Sequence, residues 1–264
     1  FSLNYYVGLE DDHDMGLKYT HQGEKWDYSV AFFKNAEELR FGNTSDVSNS
    51  RYSYDVGSIN NSNGELILRN KEVNQLNGDL SYKINNTNAK HRMGVSAQYG
   101  GLFNLDTEET GNRYALAAYY ELKAGKLGVK AQIANYKNSP ENPDGERDDV
   151  VAMTAYGAPY LVAAEASIYT LGLSYSIPLE WGPVSSVVIY NDFGYMDKAE
   201  SSFESSMMNV TGAMFTAGNI YTYVDMAAGK NQPWLGSQWT GALAEGTPDA
   251  DWEMRFNINV GYYF

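Results

Sequence analysis

Trp252 to Phe264, WEMRFNINVGYYF, alternates without a break for thirteen residues. Trp252, Met254, Phe256, Ile258, Val260, Tyr262 and Phe264 are apolar or aromatic, while Glu253, Arg255, Asn257, Asn259, Gly261 and Tyr263 lie between them. A period of two sends alternate side chains to opposite faces of a strand, so one face meets an apolar medium and the other a polar one. An edge strand of a soluble sandwich alternates too, but such strands run about five or six residues. Thirteen residues suit a tilted crossing of a bilayer, for which about 9–11 suffice.

The alternation recurs upstream. Phe1, Leu3, Tyr5, Val7 and Leu9 form one phase of 1–10, and Trp26, Tyr28, Val30 and Phe32 form one phase of the next strong segment. Leu76–Ile84, Met93–Tyr99, Tyr114–Leu122, Leu127–Ile133 and Tyr169–Ile177 follow, with weaker patterns through 15–22, 184–196, 205–217 and 219–229. Counted together these predict an all-β, transmembrane, antiparallel up-and-down barrel of about 12 strands, forming one domain over 1–264. Composition agrees. The chain has 264 residues, 22 Tyr, 25 Gly, no Cys and a net charge of −14, and no apolar run approaches the ~18 residues of a spanning helix. The acidic balance excludes a nucleic-acid footprint. The 43% apolar content argues against disorder. Without Cys there are no disulfides, thiol nucleophile or thiolate zinc site. A start at Phe1, with no signal segment, reads as a processed chain or a fragment.

The connections alternate short and long, as the two rims of such a barrel do. Short ones fall at Gly23–Lys25, Thr87–Lys90, Lys123–Lys126, Leu179–Pro183 and Ala217–Asn219; long outer ones are expected at 38–73, 138–165 and 230–249. The order holds only if Val150–Ala163 (VVAMTAYGAPYLVA) belongs to a loop. The outer connections, with 11–14, 103–112 and 197–204 included, hold 22 acids and 7 bases, so the net of −15 there leaves +1 for the rest. Trp26 and Trp181 fall beside short turns and Trp234, Trp239 and Trp252 near the opposite rim, as aromatic girdles would.

The terminal RFNINVGYYF (255–264) resembles the last strand of Gram-negative outer-membrane proteins. In that class a C-terminal Phe with alternating apolar residues behind it, matched here by Phe264, Tyr262, Val260 and Ile258, is recognised by the barrel-assembly machinery. Tyr190–Phe264 (YNDFGYMDKAE, YTYVDMAAGKNQPWLG, DWEMRFNINVGYYF) is similar to the C-terminal part of a general or phosphate-selective-like porin. The resemblance implies a passive diffusion channel for small polar or charged solutes in the outer membrane, contacting lipid and lipopolysaccharide, with a homotrimer as one possible assembly and no cofactor. Two features depart from it. Such porins have sixteen strands, so an N-terminal portion is expected to lie outside this sequence, and no Lys/Arg ladder of the phosphate-selective kind is visible.

With the apolar phase toward lipid, the polar phase predicts the pore wall: Lys18, Asp27, Asp79, Lys83, Arg92, Arg113, Glu121, Lys130, Asp192, Asp225, Glu253 and Arg255, together with Glu10. Such a set would either orient solutes in a transverse field or hold the wall together as ion pairs. Tyr6, Phe33, Tyr119, Tyr136, Tyr190, Tyr221, Tyr223 and Tyr263 in the same phase would serve as lumen filling or as a stacking track for sugars. The apolar run in 138–165, with Tyr156, Pro159, Tyr160 and Leu161 at its middle, is expected to fold against the inner wall and narrow the channel. His21 and His91 fall near the short turns. His13 sits in an acidic DDHD run that lacks calcium-loop spacing. No metal site or catalytic residue is assigned. The alternatives are a structural or adhesive barrel with a plugged lumen, and a barrel hydrolase.

Overall fold

A computed structural model describes residues 1–9, 15–36, 54–60, 67–155 and 158–264. A short 3-10 helix, Leu3–Val7, precedes β1 (Met15–Gln22), β2 (Trp26–Asn35), β3 (Asp55–Val56), β4 (Ile59–Asn60) and β5 (Ile67–Leu68). The long strands β6 (Asn70–Asn85), β7 (Ala89–Asn104), β8 (Thr110–Ala124) and β9 (Leu127–Ser139) come next. Then follow β10 (Val150–Ala155), β11 (Ala158–Ala163), β12 (Glu165–Trp181), β13 (Val184–Lys198), β14 (Ser206–Ala217), β15 (Ile220–Lys230) and β16 (Glu253–Tyr262).

Eleven of these form one sheet in the order β1-β2-β6-β7-β8-β9-β12-β13-β14-β15-β16. Each strand pairs antiparallel with the next, which makes an up-and-down meander. The short connections all fall on one rim. Gly125, Gly182 and Gly218 sit at their tips with φ of 57°, 57° and 59°, a left-handed conformation that glycine reaches without steric cost. The long connections fall on the other rim, as the spacing predicts. They are slightly shorter than expected at two places, because Asn70–Val73 belongs to β6 and Asn138 and Ser139 to β9. The third runs on past 249 to the start of β16 at Glu253.

Among the described residues the meander has eleven strands, where the sequence predicts about twelve. The expected first strand is the 3-10 helix: Ser2 caps it by accepting from the Asn4 N–H at 3.1 Å, and Gly8 ends it at φ 72°. Its Leu3, Asn4 and Val7 are buried instead. Among the described residues no ladder joins β1 to β16, so the sheet is not closed edge to edge.

The faces divide as the alternation predicts. Leu17, Val30, Leu80, Val95, Leu116, Ile133, Leu171 and Ile189 are exposed on one face. So are Phe256, Ile258 and Val260, at 61%, 60% and 66%. The opposite face is the inner one. At its long-connection end it carries Leu102, Tyr136, Ile168, Met196, Met208 and Val210, and these close over the 3-10 helix, β3, β10 and β11 to form the core. Val150–Ala163 thus lies in a connection, outside the eleven-stranded sheet, but it is a β-hairpin running from the Val150↔Ala163 pair to the Ala155↔Ala158 pair. β3 extends it through Met153↔Val56, and Leu161 and Ala163 donate backbone hydrogen bonds to Thr240 and Leu243. Those partners satisfy polar backbone that burial would otherwise orphan.

Candidate functional site

The turn-side half of the inner face encloses a cavity of about 1080 Å³ that reaches from β1 to β13. Eight predicted wall residues line it: Lys18, Asp27, Asp79, Lys83, Arg92, Glu121, Lys130 and Asp192. Their register explains the grouping, since Asp79 stands opposite Ser96, Lys83 opposite Arg92, Arg92 opposite Glu121 and Glu121 opposite Lys130 on successive strands. Lys83 Nζ donates to Asp27 Oδ1 at 2.8 Å and to the Gly23 carbonyl at 2.7 Å. The Arg92 guanidinium lies 3.8 Å from both Asp79 and Glu121, donates to Ser81 Oγ at 3.0 Å, and sits 5.4 Å from the Tyr119 ring centre. Tyr119 in turn donates to Asp79 Oδ2 at 2.9 Å. Asp192 accepts from the Phe1 amino group at 2.9 Å.

Lys90, Lys123 and Lys126 also line this cavity. The strand alternation does not point to them, because their positions abut the turns. Seven Lys and Arg therefore face four Asp and Glu in one chamber. The predicted wall as a whole has six bases and seven acids, whereas this chamber holds an excess of bases. Among the described residues Lys18, Lys90, Lys123, Lys126 and Lys130 make no ion pair.

Four predicted wall residues lie outside the chamber. Arg113 is buried toward the long connections and pairs there with buried Glu72, whose Oε1 also accepts from the Val56 N–H at 2.8 Å. That pair ties β3 to the wall. Asp225 is buried and accepts from the Tyr190 hydroxyl at 3.0 Å. Glu253 accepts from the Ser237 N–H at 2.8 Å. Arg255 lies near Tyr6, whose hydroxyl burial holds above its ordinary value, opposed by Gln232 and by the Arg255 charge. Each of these four sits where the loop-side filling reaches the wall, which alternation alone does not reveal.

The predicted constriction residues are in that filling. Tyr160 is wholly buried and donates to the Tyr6 carbonyl at 2.6 Å, Leu161 is buried, and the Pro159 carbonyl accepts from Trp239 Nε1 at 2.8 Å. Tyr156 lies outside the described residues, as do Glu10, His13 and its acidic neighbours. Trp234 and Trp239 do not stand in a girdle: they stack edge to face at 4.7 Å inside, beside Tyr54 and Tyr160. Trp26, Trp181 and Trp252 are exposed. Above the filling, Arg147 donates to both Asp149 oxygens at 2.8 and 3.0 Å and pairs with Glu245 across to the last long connection. The Arg147 charge holds the Asp149 carboxyl below its ordinary value. His21 stacks on Tyr28 at 4.8 Å, and His91 Nδ1 bonds the Tyr120 hydroxyl at 2.7 Å. Among the described residues no group of acids and histidines is placed to hold a metal. Comparison with known protein families and with curated proteins finds no match to the chain.

Proposed function

We propose that this chain is the wall of a Gram-negative outer-membrane porin, a passive diffusion channel for small polar or charged solutes. One observation carries the reading: large apolar side chains stand exposed along the outward face of ten of the eleven sheet strands while charged ones line the inner face. In water such a continuous apolar face would be a severe liability; in hydrocarbon it is what a strand requires. Strands of mostly 10–17 residues are long enough to cross. The Phe264 terminus resembling an assembly signal, and long connections gathered on one rim, favour the same location. The reading assigns no catalysis to the described histidines, takes lipid and lipopolysaccharide as surroundings, and leaves a homotrimer as the assembly to test.

An unpaired strand edge does not stand in hydrocarbon. Both β1 and β16 run from the long-connection rim to the turn rim, so they cannot close on each other antiparallel. All-antiparallel closure would take an odd number of further strands between them, and five would complete sixteen. A plugged structural barrel is the second reading, favoured by the dry filling of the loop-side half. Planar-bilayer recording separates the two: stable single-channel steps support the porin, and their absence supports the plug.

A further inference from the structure

The outward face of β13 and β14 carries a polar island inside its apolar band. In β14 Met208 and Val210 belong to the core, so Asn209 and Thr211 point outward, and Asn191 stands opposite Thr211 on the same face of β13. The Asn191 amide nitrogen donates to Asn209 Oδ1 at 2.8 Å and to Thr211 Oγ1 at 2.7 Å, and the Thr211 hydroxyl donates to the same Asn209 oxygen at 3.2 Å. Among the described residues Asn191 Oδ1 accepts no hydrogen bond and Asn209 Nδ2 donates none. The island does not sit at a rim. Ile189 and Phe193 flank Asn191 along its face of β13, and Tyr195 follows before the loop end. Exposed Leu173 and Met226 stand opposite Asn191 and Thr211 on the adjoining strands. By contrast, the outward Asn135–Ser167 hydrogen bond lies one outward position from the Lys137–Glu165 ion pair, at the loop end of β9 and β12.

In hydrocarbon no water replaces a missing partner, so polar side chains within the apolar band are costly and mark a function. A hydrocarbon chain lying on this face offers the two carboxamides nothing to bond. A second copy of the face does. Each carboxamide carries both a donor and an acceptor, so the island is complementary to itself, as a contact between identical surfaces requires. Its surroundings suit close approach. Ala213 stands opposite Ile189, and Ala228 stands opposite Asn209. Small side chains beside hydrogen-bonding ones are the combination that lets two membrane-embedded surfaces meet, as between packed membrane helices. The island is also open to a partner: Asn191 and Asn209 are half-buried and Thr211 is exposed.

We propose that Asn191, Asn209 and Thr211 form the centre of a contact between copies of this chain, made within the membrane by the outward face of β13–β15. The inference rests on the porin reading, which puts this face in hydrocarbon. The chain has no Cys, so Asn209→Cys supplies a single thiol per copy. The folded variant in liposomes, treated with a short bismaleimide, should give a cross-linked dimer. Val95→Cys, at an exposed outward position on β7, should stay monomeric under the same treatment. No dimer with Asn209→Cys, or equal yields at the two positions, overturns the contact. Sedimentation equilibrium in detergent gives a second measure. Asn191→Leu combined with Thr211→Val should lower the association constant about tenfold, while Thr211→Ser should retain it. A face that met lipid alone would accept the apolar pair with association unchanged and thermal stability raised, and that result overturns the contact. Bilayer conductance on the same preparation keeps the two readings apart: conductance without cross-linking overturns the contact alone, and cross-linking without conductance overturns the channel alone.

Discussion

The loop-side and turn-side halves of the interior are built from the same strands and the same phase of their alternation, yet one is dry and the other wet. In β12 the inward series reads Ile168, Thr170, Gly172, Ser174; in β9, read from the loop side, it is Tyr136, Ala134, Gln132, Lys130. The apolar end of each series packs on the buried hairpin, and the polar end lines the chamber. A strand phase is therefore not one environment. It changes along the strand wherever a loop folds back to cover it.

The largest expected effect breaks the dry half. Tyr160→Ala removes the wholly buried ring at the centre of the filling and should cost about 3–5 kcal/mol in denaturant unfolding, whereas Ser174→Ala in the chamber should stay within about 0.5 kcal/mol. Similar costs at both would mean that the halves do not differ in packing. The outward face comes next. Val260→Arg should cost about 2–4 kcal/mol in a lipid-reconstituted protein if that position lies near the midplane, while Asn257→Arg, one phase away, should be mild. Equal costs would remove the basis for assigning the faces.

Acid tests the clamp above the dry half. Because Arg147 depresses the folded Asp149 pKa below its ordinary 3.8, the pair's contribution is present above that value and is lost as pH falls through the folded one. Proteolysis of the 138–149 connection should therefore rise only on acidification below the ordinary carboxylate range. In Asp149→Asn the connection should be cleaved more readily already at neutral pH, with that acid step gone. The smallest effect concerns charge. All six outer connections together are net −15 and the chamber at the turn side holds seven bases against four acids, so on the porin reading the two mouths differ in sign. Low-salt current should rectify. The asymmetry should fade as the Debye length falls from ~30 Å at 0.01 M to ~3 Å at 1 M. Symmetric current at 0.01 M would mean that the two charge sets cancel within the lumen.

The alternation of Trp252–Phe264 and its repeats made the antiparallel meander, the exposed face and the order of short and long connections legible in the sequence, because each depends on local period and turn chemistry. Eight chamber residues were legible for the same reason. The 3-10 helix was not, since Leu3, Tyr5 and Val7 fit both a strand phase and a buried face until Gly8 and Ser2 are read as caps. The hairpin was legible only as an apolar run. A signal for its burial was present in Leu102, Tyr136, Ile168, Met196 and Met208, apolar residues in an otherwise polar phase at the loop-side ends of their strands. Trp234 and Trp239 were not legible as interior residues, nor Arg113 and Asp225 as buried ones, because their surroundings come from segments distant in sequence, which no periodicity encodes.

The absence of native cysteine allows the most direct test, because each introduced thiol is the only one present. Val260→Cys, Lys130→Cys and Ile168→Cys, reconstituted in liposomes, would be challenged with a lipid-soluble and a charged, membrane-impermeant thiol reagent. The account predicts that position 260 reacts with the lipid-soluble reagent alone, position 130 with the charged one, and position 168 with neither until the protein is unfolded. Rapid reaction of position 260 with the charged reagent would contradict it.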